Sequence, residues 1–238
     1  MKTLIDAIKI RAIEYLNTTP VAHDKYLFIM YHTFANINPV PMKDDSGDYI
    51  YLDIINNEDD FKLFVNKMSD VILNAKDVSS IFSMIIKPYR FYFLKIIEDC
   101  LSKEDFNYYL KNIWINTEFP NTDKNVSVDE SLNLFKNADK NLIMTKSELL
   151  KLNTLPDEIT IYRGVHKKNN SKALSWTDDY EQALWFAKRF DNNGYVLQAT
   201  IKKDDIIAYF DERNEKEIIV DFNKIYNLKT EKVIDIKI

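Results

Sequence analysis

Only three glycines occur in the 238 residues, Gly47, Gly164 and Gly194. A dinucleotide fingerprint or a Walker loop needs several glycines close together so that backbone can approach phosphate, and both are therefore excluded. A single cysteine, Cys100, rules out a disulfide within the chain and a cysteine-based zinc site. Its apolar helical setting reads as buried filler, and no metal is expected. No apolar run approaches the roughly 20 residues of a membrane span. The first stretch, MKTLIDAIKIRAIEYL, is interrupted by Asp6, Lys9, Arg11 and Glu14, so it reads as an amphipathic helix and not as a signal peptide. The expected location is the cytoplasm, with no membrane partner. Clustered positive charge is also lacking. The net charge is −5, and residues 151–238 hold fifteen basic and fifteen acidic side chains, so the surplus acid lies in residues 1–150. Neither half is an electrostatic trap for a phosphate backbone.

Aromatic residues are abundant, with 14 Tyr, 14 Phe and 3 Trp, enough to build a sizeable core. Residues 1–118 read mostly as helices. Leu4, Ile8, Ala12 and Leu16 recur at helical spacing before Pro20. A second apolar helix is expected over 24–36, a loop over 39–50, and a third helix from the face Phe61, Val65, Met68 and Ile72. The apolar segment 78–101 contains Pro88 and is expected to kink or break there. Phe106, Tyr109, Leu110 and Ile113 give a further stripe. The polar stretch 118–130 is the boundary between a helical domain, 1–118, and a second domain, 119–238.

Beyond two short helices, near 129–138 and 145–152, the texture turns to short strands. These are Ile159–Tyr162, Ala173–Thr177, Tyr195–Ile201, Lys216–Phe222 and the terminal KVIDIKI, with one helix over 178–190. The fold class is α+β: a helical N-terminal half and a small split β-sheet.

Three features of the second half belong together. Tyr162-Arg163-Gly164 ends one strand, Ser175-Trp176-Thr177 closes another before a helix, and Glu215-Lys216-Glu217 leads into EIIVDF. Taken singly each is ordinary: a solvated arginine, a helix cap and a charged surface turn. In this order they resemble the Arg–Ser–Glu class of ADP-ribosyltransferases, with a strand-borne Arg, a Ser-x-Ser/Thr strand and a Glu-x-Glu. LSWTDDYEQALWFAKRF resembles that family's segment after the serine, and AYFDERNEKEIIVDF its approach to the catalytic Glu. The resemblance covers about residues 155–238. It departs from the pattern at Thr177 and at the bulky Trp176, and Glu212 is a competing acid. The class built on His, Tyr and Glu is disfavoured, because His23 and His32 lie far upstream and His166 lies on a turn.

The resemblance implies a mono-ADP-ribosyltransferase with NAD as substrate and Arg163, Ser175, Glu215 and Glu217 as its catalytic set. Arg163, Gly164, Ser175, Trp176 and Thr177 would contact NAD. A guanidinium fork suits phosphate oxygens where no glycine loop exists. Gly164 would admit backbone to the nicotinamide carboxamide. Cleavage of the nicotinamide–ribose bond passes through an oxocarbenium-like state, as in glycosidases, and Glu217 would stabilise that charge. On an extended chain Glu215 shares a face with Glu217, and in the family a Glu there goes with arginine acceptors. The acceptor is therefore expected to be a macromolecule, a protein arginine before a nucleic acid. NAD hydrolysis alone and a non-catalytic binding module are the alternatives. A toxin, phage or phage-defence setting would suit such an enzyme. Trp185 and Phe186 read as helix core; Trp176 fits a core or a ring-stacking role about equally.

Overall fold

The computed structural model describes residues 2–18, 22–24, 29–117, 125–166, 172–189, 194–212 and 215–233; for 22–24 and 29–31 it describes the backbone alone. The chain divides into two compact units, Met1–Glu118 and Phe119–Ile238. Among the described residues, no helix is long and apolar enough to cross a membrane.

In the first unit α1 (Ile5–Thr18) buries Ile8, Ala12, Tyr15 and Leu16 on one helical face, whereas Leu4, expected on that face, precedes the helix and is exposed. Arg11 on that helix pairs with Asp99 and donates to the Ile96 carbonyl at 2.6 Å. Of the stretch expected as a second helix, 24–36, residues 25–28 lie outside the described residues, and 29–31 form β2 (Ile29–Tyr31), paired antiparallel with β1 (Ala22–Asp24) from Ala22↔Tyr31 to Asp24↔Ile29. An apolar run this short does not distinguish helix from strand by periodicity, and cross-strand pairing decides it. The expected loop at 39–50 is a hairpin, β3 (Val40–Lys43) with β4 (Tyr49–Leu52). Its turn is closed by Asp44, whose carboxylate accepts from Ser46 and Asp48 N–H, and by Gly47 at φ 92°.

Helix α2 (Glu58–Leu73) starts at Asn57, whose side chain accepts from the amides of Asp59 and Asp60. It is followed by α3 (Val78–Met84), a 3₁₀ turn at Lys87–Tyr89 containing Pro88, α4 (Arg90–Ile97), and α5 (Lys103–Asn116) capped by Ser102. The segment around Pro88 thus separates two helices. Phe64, Phe91, Phe93, Leu110 and Trp114 are almost wholly buried, and Cys100 is buried with them. His32 lies edge-on to Phe61 and Phe64. Its Nδ1 accepts from the Phe34 amide at 3.1 Å, and burial lowers its pKa to about 4.

The second unit opens with α6 (Val128–Lys136), the short α7 (Lys140–Ile143) and α8 (Lys146–Thr154). Capping boxes start α6 at Ser127/Glu130 and α8 at Thr145/Glu148. Six antiparallel strands follow: β5 (Glu158–Val165), β6 (Ser175–Thr177), β7 (Tyr195–Lys202), β8 (Ile206–Phe210), β9 (Glu217–Val220) and β10 (Tyr226–Lys232). Their order across the sheet is β10-β7-β5-β6-β9-β8. β8 and β10 were not expected from the sequence. Of the expected strand in KVIDIKI, residues 234–238 lie outside the described residues.

The pairing is uneven. β5 and β7 align over eight residue pairs, Glu158↔Lys202 to Val165↔Tyr195, whereas β5 meets β6 at the single pair Tyr162↔Thr177. The sheet is therefore two three-stranded halves, β10-β7-β5 and β6-β9-β8, joined at one point.

Helix α9 (Tyr180–Lys188) packs on this joint, and glycine is what lets it approach. A Cβ on Gly164 would stand 2.0 Å from the Ala183 carbonyl oxygen, and one on Gly194 2.1 Å from the Ala187 carbonyl oxygen. Ala183 and Ala187 are fully buried with Val196 and Val233, and Tyr162, Tyr180 and Leu184 pack against that cluster. Trp185, expected in the core, is 54% exposed, with the Arg189 guanidinium 5.6 Å from its ring. The alanines with glycine beneath them form the buried stripe, and the large aromatic falls on the other side.

Candidate functional site

Arg163, Ser175 and Glu217 lie on β5, β6 and β9, three consecutive strands, at the point where the two half-sheets part. Thr177 pairs with both Tyr162 and Glu217, which puts these three side chains on one face, and Ser175 shares it two residues along. Arg163 follows Tyr162 in a regular strand and so leaves β5 from the opposite face. Its side chain reaches the main chain of β6 across the gap. Its Nη1 donates to the Ser175 carbonyl at 2.6 Å, where main-chain pairing between β5 and β6 has ended.

The guanidinium is heavily desolvated. Burial lowers its pKa to about 10, partly offset by the negative charge of Glu217. It stays protonated at neutral pH. Nε is buried with no hydrogen-bond partner among the described residues. A buried cationic donor without an acceptor is costly, on the order of 1–3 kcal/mol or more.

The Glu-Lys-Glu segment is held from two sides. Thr177 Oγ1 donates to the Glu215 carbonyl at 3.0 Å and accepts from the Asp179 amide. Asp179 caps α9 through Oδ1 and binds Lys216 Nζ at 2.9 Å through Oδ2. Lys216 has φ 47°, in the left-handed region. The chain is therefore not extended across 215–217, and strand alternation does not bring Glu215 to the face of Glu217. A left-handed residue stands between them, and β9 begins only at Glu217.

Three further expectations change. Trp176 is 2% exposed and its indole N–H donates to the Ala173 carbonyl, so it is a core residue with no ring face open to a ligand. The Thr177 hydroxyl donates to the Glu215 carbonyl and accepts from the Asp179 amide, which makes it a positioning group for that segment. Gly164 is required by the Ala183 and Ala187 backbone; helix packing accounts for it without any ligand.

Acidic and hydroxyl groups that sequence reasoning passed over lie close by. Asp178 is half-buried, and burial raises its pKa against the pull of Lys216 and Lys151. Tyr209, on β8, is fully buried with an unpartnered hydroxyl among the described residues, and desolvation with nearby Asp178 and Asp211 pushes its pKa up. Glu148, 3% exposed, accepts from the Asp211 amide at 3.0 Å and so anchors the end of β8, from which the chain runs to Glu215. A capping-box glutamate was the visible signal for Glu148; its second partner, 63 residues on, was not visible. Glu212 is exposed. Among the described residues, no group of His, Cys, Asp and Glu could hold a metal ion.

Comparison with protein-family models, with curated proteins and with solved structures finds no match to this chain.

Proposed function

We propose that the second unit is a mono-ADP-ribosyltransferase acting on NAD, with the site at the parting of β5 and β6. The observation that carries this is Arg163: a desolvated cation with an unpaired Nε, bonded to the Ser175 strand and within the field of Glu217. The residues fit the substrate. A diphosphate would supply the acceptor that Arg163 Nε lacks, and an ionised Glu217 suits a centre that gains positive charge.

The chemistry supplied by NAD is cleavage of its nicotinamide–ribose bond, which leaves positive charge on the ribose. Glu217 stabilises that charge and holds the ribose hydroxyl. Arg163 binds and orients the phosphates. Ser175, diagonal to Glu217 on the same face, keeps the carboxylate in place. Glu215 addresses the acceptor from the far side of the Lys216 turn. Thr177 and Asp179 keep that turn in position. The acceptor is a macromolecule, with a protein arginine favoured.

Labelled NAD incubated with the protein and whole-cell extract tests the proposal, with protease- and nuclease-treated controls. Label in protease-sensitive material is the expected result. Absence of both labelled macromolecule and released nicotinamide would overturn it, and nuclease-sensitive label would move the acceptor to nucleic acid.

A further inference from the structure

The first unit carries a charged pocket that plays no part in the proposal above. It has a volume of about 230 Å³ and lies between α3, the start of α4 and α5, with Lys87, Arg90, Tyr108, Tyr109, Asn112 and Asn116 in its wall. A cavity of about 150 Å³ accepts benzene, so this one has room for a single ring with one more group attached.

Arg90 is the informative residue. Its Nε donates to the Ile85 carbonyl at 2.8 Å, which holds the side chain in the wall. Burial lowers its pKa, and no neighbouring carboxylate among the described residues offsets that loss of hydration. Arg90 is part-buried, and a partly desolvated guanidinium with no acid beside it gains from an anionic ligand. Lys87, one turn of chain earlier, brings a second positive charge to the same wall. The other wall is aromatic. Tyr108 is 58% exposed and packs edge-on against Tyr109 at 5.1 Å, and Tyr109 is fixed by a hydroxyl contact with Ser79 at 2.9 Å. Asn112 and Asn116 add amides on the same side of α5, tied together by the bond from Asn116 Nδ2 to the Asn112 carbonyl.

We propose that this pocket binds a small planar anion, a single aromatic or heteroaromatic ring bearing a phosphate or carboxylate, with the anionic group on Arg90 and Lys87 and the ring against Tyr108. Two cations against one ring-sized space select for the combined ligand. A bare anion leaves the tyrosine wall wet, and a neutral ring leaves Arg90 unpaired.

The test uses phenyl phosphate as probe on the full chain, followed by calorimetry and thermal unfolding, with inorganic phosphate and benzyl alcohol as comparison arms. Phenyl phosphate is expected to bind at least about tenfold more tightly than either comparison compound, and to raise the melting midpoint. Arg90→Gln should weaken it about tenfold or more, as loss of a charge-assisted contact does; Lys87→Gln and Tyr108→Ala, at exposed positions, should each weaken it by less. Should Arg90→Gln fail to fold, those two exposed variants carry the test. The Arg163→Ala variant distinguishes the two units: unchanged phenyl phosphate affinity is expected, whereas its loss would place the ligand on Arg163 and overturn the proposal. Equal affinity for phenyl phosphate and inorganic phosphate would overturn it too, as would full binding by the Lys87 and Tyr108 variants.

Discussion

Gly164 stands beside Arg163 and under α9, and adding one methyl group there tests how the site is framed. Cβ atoms sit in ordinary contact at 3.4 Å or more, while Ala at 164 would bring one to 2.0 Å from the Ala183 carbonyl oxygen. The neighbouring atoms at 2.5 and 2.8 Å are the Ala187 nitrogen and the Phe186 Cβ, so mostly backbone is in the way and no rotamer change relieves it. α9 would have to retreat by about 1.4 Å (3.4 less 2.0). A gap of 0.5–1 Å already forfeits a quarter to a half of a contact's dispersion energy. The Ala183 and Ala187 contacts would therefore be largely lost. Overpacking of this kind costs about 1–3 kcal/mol and sometimes more, and a rigid obstacle puts Gly164→Ala near about 3 kcal/mol. Gly47→Ala is the control. Open space surrounds that position, so only its φ of 92° resists a side chain, at roughly 1–2 kcal/mol. Amide hydrogen exchange read peptide by peptide is the suitable assay, because two units need not unfold as one. Gly164→Ala should deprotect β5, β7 and α9 and leave α1–α5 unchanged. Full protection of β5 in this variant would refute the packing account of Gly164 and return the glycine to a ligand role.

Other expectations concern the site and its supports. Glu217→Gln should suppress nicotinamide release and acceptor labelling together, by about 100- to 1,000-fold, while Glu215→Gln should lower labelling and largely spare hydrolysis. Full nicotinamide release from Glu217→Gln would move the catalytic role to Glu215 or Glu212. Arg163→Ala should weaken NAD binding by about 1.5–3 kcal/mol; unchanged calorimetric affinity would mean another cation holds the phosphates. Lys216→Gly removes the left-handed strain at φ 47° and a part-buried pair with Asp179, two terms of about 1 kcal/mol each in opposite directions. Its urea midpoint should stay close to that of the parent, and a large drop would show that the pair contributes more than an ordinary surface ion pair. His32 is neutral in both states above pH 6.5. Between pH 6.5 and about 4 the unfolded chain gains a proton that the folded one refuses. The first unit should lose about 1.4 kcal/mol per pH unit there, roughly 3 kcal/mol in all. His32→Asn should flatten that slope in urea titrations at pH 7 and 4.5, and an unchanged slope would refute it.

Much of the fold was legible because it rests on local periodicity and caps. The face of α5 and most of that of α1 follow from apolar spacing, α2 buries Val65 and Ile72 of its expected face with Phe64 beside them, and the α+β class follows from helical texture giving way to short β-branched runs. The placement of Arg163, Ser175 and Glu217 at or near strand ends was also legible from residue type and order. Sequence alone could not settle what depends on partners far along the chain. The stretches 22–24 with 29–31 and 40–43 with 49–52 became strand pairs because strands need a neighbour, and local propensity is silent about neighbours. Trp176 was settled as core, and Thr177 as a brace for Glu215, only by the side of the strand each takes within the sheet. Gly164 and Gly194 lie 30 residues apart in sequence and serve the same helix. Arg163 is the clearest case: its charge is written in the sequence, but its desolvation and its bond across the parting strands exist only after β5, β6 and β9 come together. Residue type and order set which chemistry is available, and burial, a property of the whole packed unit, sets how strongly each charge acts.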